Sequence, residues 1–145
     1  MIAGAECFLD TNILIYAANG RIDEPAKWQI AHGLLTAAFG TSGQVLAEFY
    51  ANSVEKGSVP LEPEVARRWV QLLTRRPFVA VDENLILAGV DVSQRYQISH
   101  RDGTIIAAAE RLGAATVYSE DLSHGQAYGS VQVCNPFIED VLAKK

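Results

Sequence analysis

The stretch Cys7-Phe8-Leu9-Asp10-Thr11-Asn12 decides how the rest of the chain is read. Residues 6–9 form a short apolar run, bounded by Gly4 before it and Asp10 after it, which reads as a buried strand. An acid closes the run. From 12 to 19 the apolar residues Ile13, Tyr16 and Ala17 recur at helical spacing, and Gly20 is a stop. A strand that ends in an acid and passes directly into a helix is the opening half of a parallel α/β unit.

The alternation continues along the chain. Pro25 starts a second helix with Trp28, Ala31, Leu34, Leu35 and Ala38 inward and Gly40 at its end, followed by a minimal strand at Thr41-Ser42. Residues 44–56 read as a helix with Leu46, Phe49, Tyr50 and Val54 on one stripe. Glu62-Pro63 opens a fourth helix through about Arg75, with Val65, Trp69, Leu72 and Leu73 inward, and Pro77 breaks it. A strand at 78–81 and a helix at 84–96 come next. Ser99 caps a helix that Gly113 closes. Strands at 115–118 and 131–133 complete the pattern before Asn135-Pro136-Phe137. With no repeat or linker, residues 1–145 read as one three-layer α/β domain. Its sheet should be mostly parallel, of about five short strands, with helices on both faces.

Composition agrees with a globular domain: 145 residues, 49% hydrophobic, with a mean hydropathy of +0.08. No apolar stretch approaches a membrane span, and the N-terminus lacks the pattern of a signal peptide. Cys7 and Cys134 have no metal-ligand spacing and read as buried reduced thiols, so a cytoplasmic location is expected. The net charge of -5 argues against bulk electrostatic capture of nucleic acid. The arginines are uneven, at 67-68, 75-76, 95, 101 and 111, which reads first as a solvated face.

Asp10, Glu48, Asp102 and Asp121 all fall where this reading puts strand ends and helix starts. In a parallel sheet those places share the carboxyl edge, where such folds keep their sites. Four carboxylates there repel one another unless a hard cation sits among them, and oxygen donors suit Mg²⁺ or Mn²⁺. The pattern points to metal-assisted phosphodiester hydrolysis. Singly, each acid has a plainer reading. Asp10 or Asn12 suits a helix N-cap, and Ser99-His100-Arg101-Asp102 fits a capping box. Glu48 lies off its apolar stripe and Asp121 lies in a loop. Gly103 costs roughly 1 kcal/mol inside a helix, which close approach of a ligand or a backbone would explain. His32, His100 and His124 show no acid–base spacing, and Trp28 and Trp69 sit at core spacing. Phosphate-loop, dinucleotide and nucleophile-elbow motifs are missing.

Taken in order, Phe8-Leu9-Asp10-Thr11-Asn12-Ile13-Leu14-Ile15-Tyr16 resembles the opening of the PIN-domain ribonucleases. Gln44-Val45-Leu46-Ala47-Glu48-Phe49-Tyr50 resembles the segment with their second acid, and the helix from Ser99 resembles the one with the third. Tyr118-Ser119-Glu120-Asp121, with Val133-Cys134-Asn135-Pro136-Phe137, resembles their C-terminal end. Within that family the chain looks most like VapC-type toxins of bacterial toxin–antitoxin pairs. The resemblance implies Mg²⁺-dependent RNA cleavage, a homodimer and a cognate antitoxin. It makes Asp10, Glu48, Asp102 and Asp121 the catalytic set, with Asp10, Asp102 and Asp121 as metal ligands. Glu48 would orient water or bind a second metal, Thr11 and Asn12 would support Asp10 and the phosphate, and Ser119 would position Asp121. Arg101 departs from the family pattern, in which an aromatic commonly precedes the third acid, and so does Gly103, where Ala or Ser commonly follows it. Arg101 beside the pocket suits a phosphate contact. Two alternatives stay open: a degenerate PIN fold that only binds RNA or protein, and a phosphoryl-accepting receiver domain. The second lacks its adjacent acidic pair and its late lysine.

Overall fold

The computed structural model describes residues 4–138. Its centre is β1 (Cys7–Leu9), in which Phe8 and Leu9 are fully buried. β1 passes into α1 (Thr11–Asn19), and α2 (Pro25–Leu34) follows. β2 (Phe39–Ser42) leads into α3 (Gly43–Ser53), and α4 (Pro63–Leu73) precedes β3 (Phe78–Val79). Two helices in succession, α5 (Glu83–Tyr96) and α6 (His100–Arg111), lead to β4 (Thr116–Tyr118). A hairpin of β5 (Ala127–Tyr128) and β6 (Val131–Cys134) completes the sheet.

The sheet order is β3-β2-β1-β4-β6-β5, parallel throughout except for β5 against β6. Chain order reverses between β1 and β4, so the crevice past their carboxyl ends is the switch point where α/β folds bind ligands. Cys7 pairs with Phe39 on one side and Thr116 on the other, and Leu9 pairs with Tyr118. That register sets Asp10 and Ser119 side by side. Cys7 and Cys134 lie on β1 and β6 and are not joined by a disulfide.

Several sequence readings change. The second helix stops at Leu34, and residues 35–38 turn into a strand that includes Gly40. Gly40 is not a helix stop: a Cβ there would lie 2.7 Å from a Leu112 methyl and 2.9 Å from the Pro77 carbonyl. The strand needs the glycine because its neighbours crowd it. Arg76 caps the turn, donating to the Leu35 and Ala37 carbonyls, and Ala38 faces solvent.

Of the four residues read as inward on α4, Leu73 is buried and Trp69 packs on Phe49, whereas Val65 and Leu72 are exposed. α4 packs on α3 and meets the core with a narrow stripe, its buried residues being Ala66 and Leu73. The remaining apolar residues line a groove with Leu35, Phe39 and Arg68. Tyr50 is likewise exposed. The sixth strand, β5, is an addition. Gly129-Ser130 between Tyr128 and Val131 is a two-residue hairpin loop, and Gly129 takes the φ of 61° that such a turn requires.

α5 and α6 meet through glycines. A Cβ on Gly103 would fall 2.5 Å from the Gly89 carbonyl oxygen and 3.0 Å from the Ser93 nitrogen, and one on Gly89 would strike Thr104. Backbone approach, not a ligand, therefore explains Gly103. Gly103→Ala gains helix propensity yet forces the two helices apart. A net loss of about 1–3 kcal/mol in urea unfolding is expected, and an unchanged or raised midpoint would show that the helices part without cost.

Candidate active site

Asp10 follows the central strand and is 1% exposed. A carboxylate so buried needs its lone pairs filled. One oxygen accepts the Thr11 backbone N–H at 2.7 Å and Nη2 of Arg101 at 3.0 Å, and the other accepts the Ser119 hydroxyl at 2.8 Å. Asp10 is thus both the N-cap of α1 and a member of a wider polar cluster.

Glu48 sits in the second turn of α3, deeper in its helix than a strand-end position. Side chains on a helix tilt toward its N-terminus, and this tilt carries the Glu48 carboxylate back to the sheet edge. Its Oε1 accepts from the Thr11 hydroxyl at 2.9 Å and from Arg101 at 3.0 Å, and its Oε2 accepts from Arg101 Nε at 3.1 Å. Asp102 stands in the first turn of α6. Ser99 caps that helix by accepting the Asp102 backbone N–H, while the Asp102 carboxylate accepts from Arg101 Nη1 at 3.1 Å.

Arg101 therefore joins three acids from three elements. All three guanidinium nitrogens are engaged, and the side chain is 32% exposed. Burial alone would lower its pKa; hydrogen bonds and charge from Glu48 and Asp10 more than offset this and raise it. The guanidinium is a fixed positive charge.

Asp121 stands beside this cluster. It accepts from the Asn12 amide at 3.1 Å, and its backbone N–H donates to the Ser119 hydroxyl, the same hydroxyl that donates to Asp10. One fully buried serine so links the two loop acids. Burial first, and the Asp10 charge second, raise the Asp121 pKa.

A second clamp holds this loop from outside. Glu120 accepts from the Tyr16 hydroxyl at 2.7 Å and pairs with Lys27, whose ammonium also lies over the Tyr16 and Phe137 rings. Tyr16, Lys27 and Glu120 were not among the sequence candidates, and neither was Gln44, whose amide donates to the Arg101 carbonyl. Their sequence spacing carries no shared signal. Of the histidines, His32 is exposed against Trp28, His100 Nε2 meets the Ile86 carbonyl, and His124 Nδ1 accepts the Asn135 N–H.

The donor chemistry of the pocket, carboxylates with hydroxyl support and no sulfur or imidazole, suits a hard divalent cation. Among the described residues, though, no three His, Cys, Asp or Glu side chains stand close enough to hold an ion in this arrangement. The acids are spaced around a guanidinium.

An acid-lined crevice at the switch point of a parallel, three-layer α/β domain defines the class of protein. The PIN domain family model matches residues 7–129, and the chain belongs to that family. No curated protein sequence matches it. Among solved structures it is similar to Mycobacterium tuberculosis VapC20, described as a toxin that cleaves the sarcin–ricin loop. That match has 21% identity over 79% of this chain and 89% of the other, with a TM-score of 0.63. It is also similar to a toxin–antitoxin complex from Klebsiella pneumoniae (18% identity, 90% and 98% covered, TM-score 0.66). A third is DNA-bound VapBC from Salmonella typhimurium (15%, 92% and 97% covered, TM-score 0.59). At these identities the likeness is one of fold. No helix among the described residues is long and apolar enough to cross a membrane.

The raised pKa of Asp121 has a definite sign. Between the ordinary value of 3.8 and its own value, the folded chain binds more protons than the unfolded one, so stability falls as pH rises through that window. Asp121→Asn removes this part of the slope. The variant should match the wild type at acid pH and become the more stable of the two as pH rises. Urea unfolding at a series of pH values measures it, and a constant difference would show that Asp121 titrates normally.

Proposed function

We propose that this protein is a divalent-metal-dependent endoribonuclease, acting in the cytoplasm as the toxin of a toxin–antitoxin pair. The convergence of Asp10, Glu48 and Asp102 on one point beside Asp121 carries the reading. Asp10, Asp102 and Asp121 would hold Mg²⁺ or Mn²⁺. When bound, such an ion supplies a more acidic water and neutralises charge on the phosphate.

The chain's own residues do the rest. The Ser119 hydroxyl and the Thr11 N–H fix the orientation of Asp10, and Ser119 ties the Asp121 loop to the same point. Glu48, partly exposed and braced by Thr11, aligns a water and accepts its proton. Asn12, whose amide holds Asp121, and Thr11, which holds Asp10 and Glu48, would support the phosphate from the start of α1. Arg101, once free of the acids, would remain at the rim as a cation for a phosphate oxygen.

No histidine pair among the described residues supplies the acid and base needed for attack by the RNA 2′-hydroxyl, since His100 and His124 are turned to backbone atoms. All four acids being present also favours catalysis over a purely binding role. The antitoxin and the homodimer rest on the family and on the complexes named above. The groove of Leu35, Phe39, Val65, Trp69 and Leu72, with Arg68 at its rim, is an exposed surface suited to a partner with an apolar stripe and acidic flank.

Asp10→Asn and Asp102→Asn keep the shape of each side chain and remove its charge. Each should lower cleavage of RNA in Mg²⁺ by more than about a hundredfold while the protein stays folded, and near-normal turnover would overturn the metal assignment. Ser119→Ala should fall within the roughly 10–100-fold range of a ligand-orienting residue.

Fragments should carry 5′-phosphate and 3′-hydroxyl ends. A substrate with one 2′-deoxy sugar at the cut should still be cleaved. Mass spectrometry decides, and 2′,3′-cyclic phosphate would rule out attack by water. Induced expression should slow growth, and a co-expressed small partner protein should restore it.

A further inference from the structure

Arg101 stands where local rules disfavour it. It is the second residue of α6, and a cation in the first turn opposes the helix dipole. What holds it there is the pocket: Nη2 bonds Asp10 and Glu48, Nε bonds Glu48 and Nη1 bonds Asp102, at 3.0–3.1 Å. Among the described residues it is the one cation paired with these acids.

A guanidinium spreads its nitrogens over several ångströms, and the carboxylates are spaced to match. Mg²⁺ needs oxygens at about 2.0–2.1 Å. The two cations cannot share the space, and the carboxylates cannot satisfy both geometries. The side chain is nonetheless free to leave. The side chain as a whole is 32% exposed, its long stem rotates, and its backbone stays put because Gln44 holds the Arg101 carbonyl and Ser99 caps the helix.

We propose that Arg101 is a built-in competitor for the metal: its guanidinium fills the pocket in the metal-free protein, and a divalent cation binds only by turning it out. This rests on the metal-dependent reading above. Two consequences follow. The metal-free pocket is stable because Asp10, Glu48 and Asp102 are already paired with Arg101, so these three do not repel one another apart before metal arrives. The apparent metal affinity is lowered by the fraction of time that Arg101 is in place; a pocket open one time in ten binds roughly tenfold more weakly than an open one. The activity of the protein is then set by divalent-cation concentration through a residue of its own chain.

The probe is Mn²⁺, titrated into the full chain and followed by electron paramagnetic resonance of the free ion. Wild type, Arg101→Gln and the double variant Asp10→Asn/Asp102→Asn are compared. Arg101→Gln should bind Mn²⁺ roughly tenfold or more tightly than wild type. Without metal it should melt at a lower temperature than wild type, and saturating Mn²⁺ should raise its midpoint by more.

A second measurement needs no variant. In the wild type, the Arg101 Nε–H resonance should be protected from solvent exchange without metal. It should lose that protection at the same Mg²⁺ concentrations that shift the Thr11 amide. Equal or weaker Mn²⁺ binding by Arg101→Gln would overturn the competition, as would an unmoved Arg101 Nε–H while the Thr11 amide shifts. Failure of all three chains to bind Mn²⁺, with no shift at Thr11, would remove the metal-dependent reading itself and the competition with it.

Discussion

Asp10 is a carboxylate at the end of the central strand with almost no solvent around it, and the rest of the site exists on the condition that its charge is answered. An isolated buried carboxylate costs several kcal/mol at least. Here the compensation is distributed: a backbone N–H from the helix it caps, a buried serine from the next strand over, and a guanidinium from a helix that follows no strand directly. Each of these partners holds a second acid as well. Ser119 leads to Asp121, Thr11 to Glu48, and Arg101 to both Glu48 and Asp102. The four acids are thus one network, and a disturbance at any of them is felt at Asp10.

Topology makes that network possible. β1 and β4 are neighbours because chain order reverses between them, and the pairing of Leu9 with Tyr118 brings the residues just beyond each strand into register. A one-residue slip would turn Ser119 away from Asp10 and leave both polar groups unmatched in the core. Register at the centre of the sheet and chemistry at its edge are therefore the same constraint. The tight glycine contact between α5 and α6 serves it too. α6 carries Arg101 and Asp102, and its close seat against α5 sets how far both can reach toward the sheet.

Most of the architecture can be read from the residues because short apolar runs such as Cys7–Leu9 before Asp10, and helices with clear caps, carry local signals. What could not be read was decided by contact across the chain. Gly40 has the look of a helix stop and is instead a strand residue crowded by Leu112 and Pro77. Val65 and Leu72 fit the inward stripe of α4, yet only a narrow stripe of that helix meets the core. The strand at 127–128 has a turn signal in Gly129-Ser130 but, at two residues, no periodicity of its own. In the site, the acids could be listed from sequence as a set, but their meeting point is a guanidinium. Nothing in the spacing of Arg101 from Asp10 or Glu48 foretells that contact, since they lie 91 and 53 residues apart. The Tyr16–Lys27–Glu120 clamp is hidden for the same reason.

The division of labour within the first turn of α6 completes the physical account. Ser99 accepts the Asp102 backbone N–H, Thr104 donates to the His100 carbonyl, and Gln44 donates to the Arg101 carbonyl. Ser99 does the capping, and the Asp102 carboxylate faces the pocket, where it accepts from Arg101 Nη1. The backbone beneath Arg101 and Asp102 is held from α3 as well as from within its own helix. A site built this way can change its counter-cation by side-chain rotation alone, on a backbone that stays preorganised. Rigid main chain and mobile charge are what a pocket needs if it must be stable without a ligand and open to one.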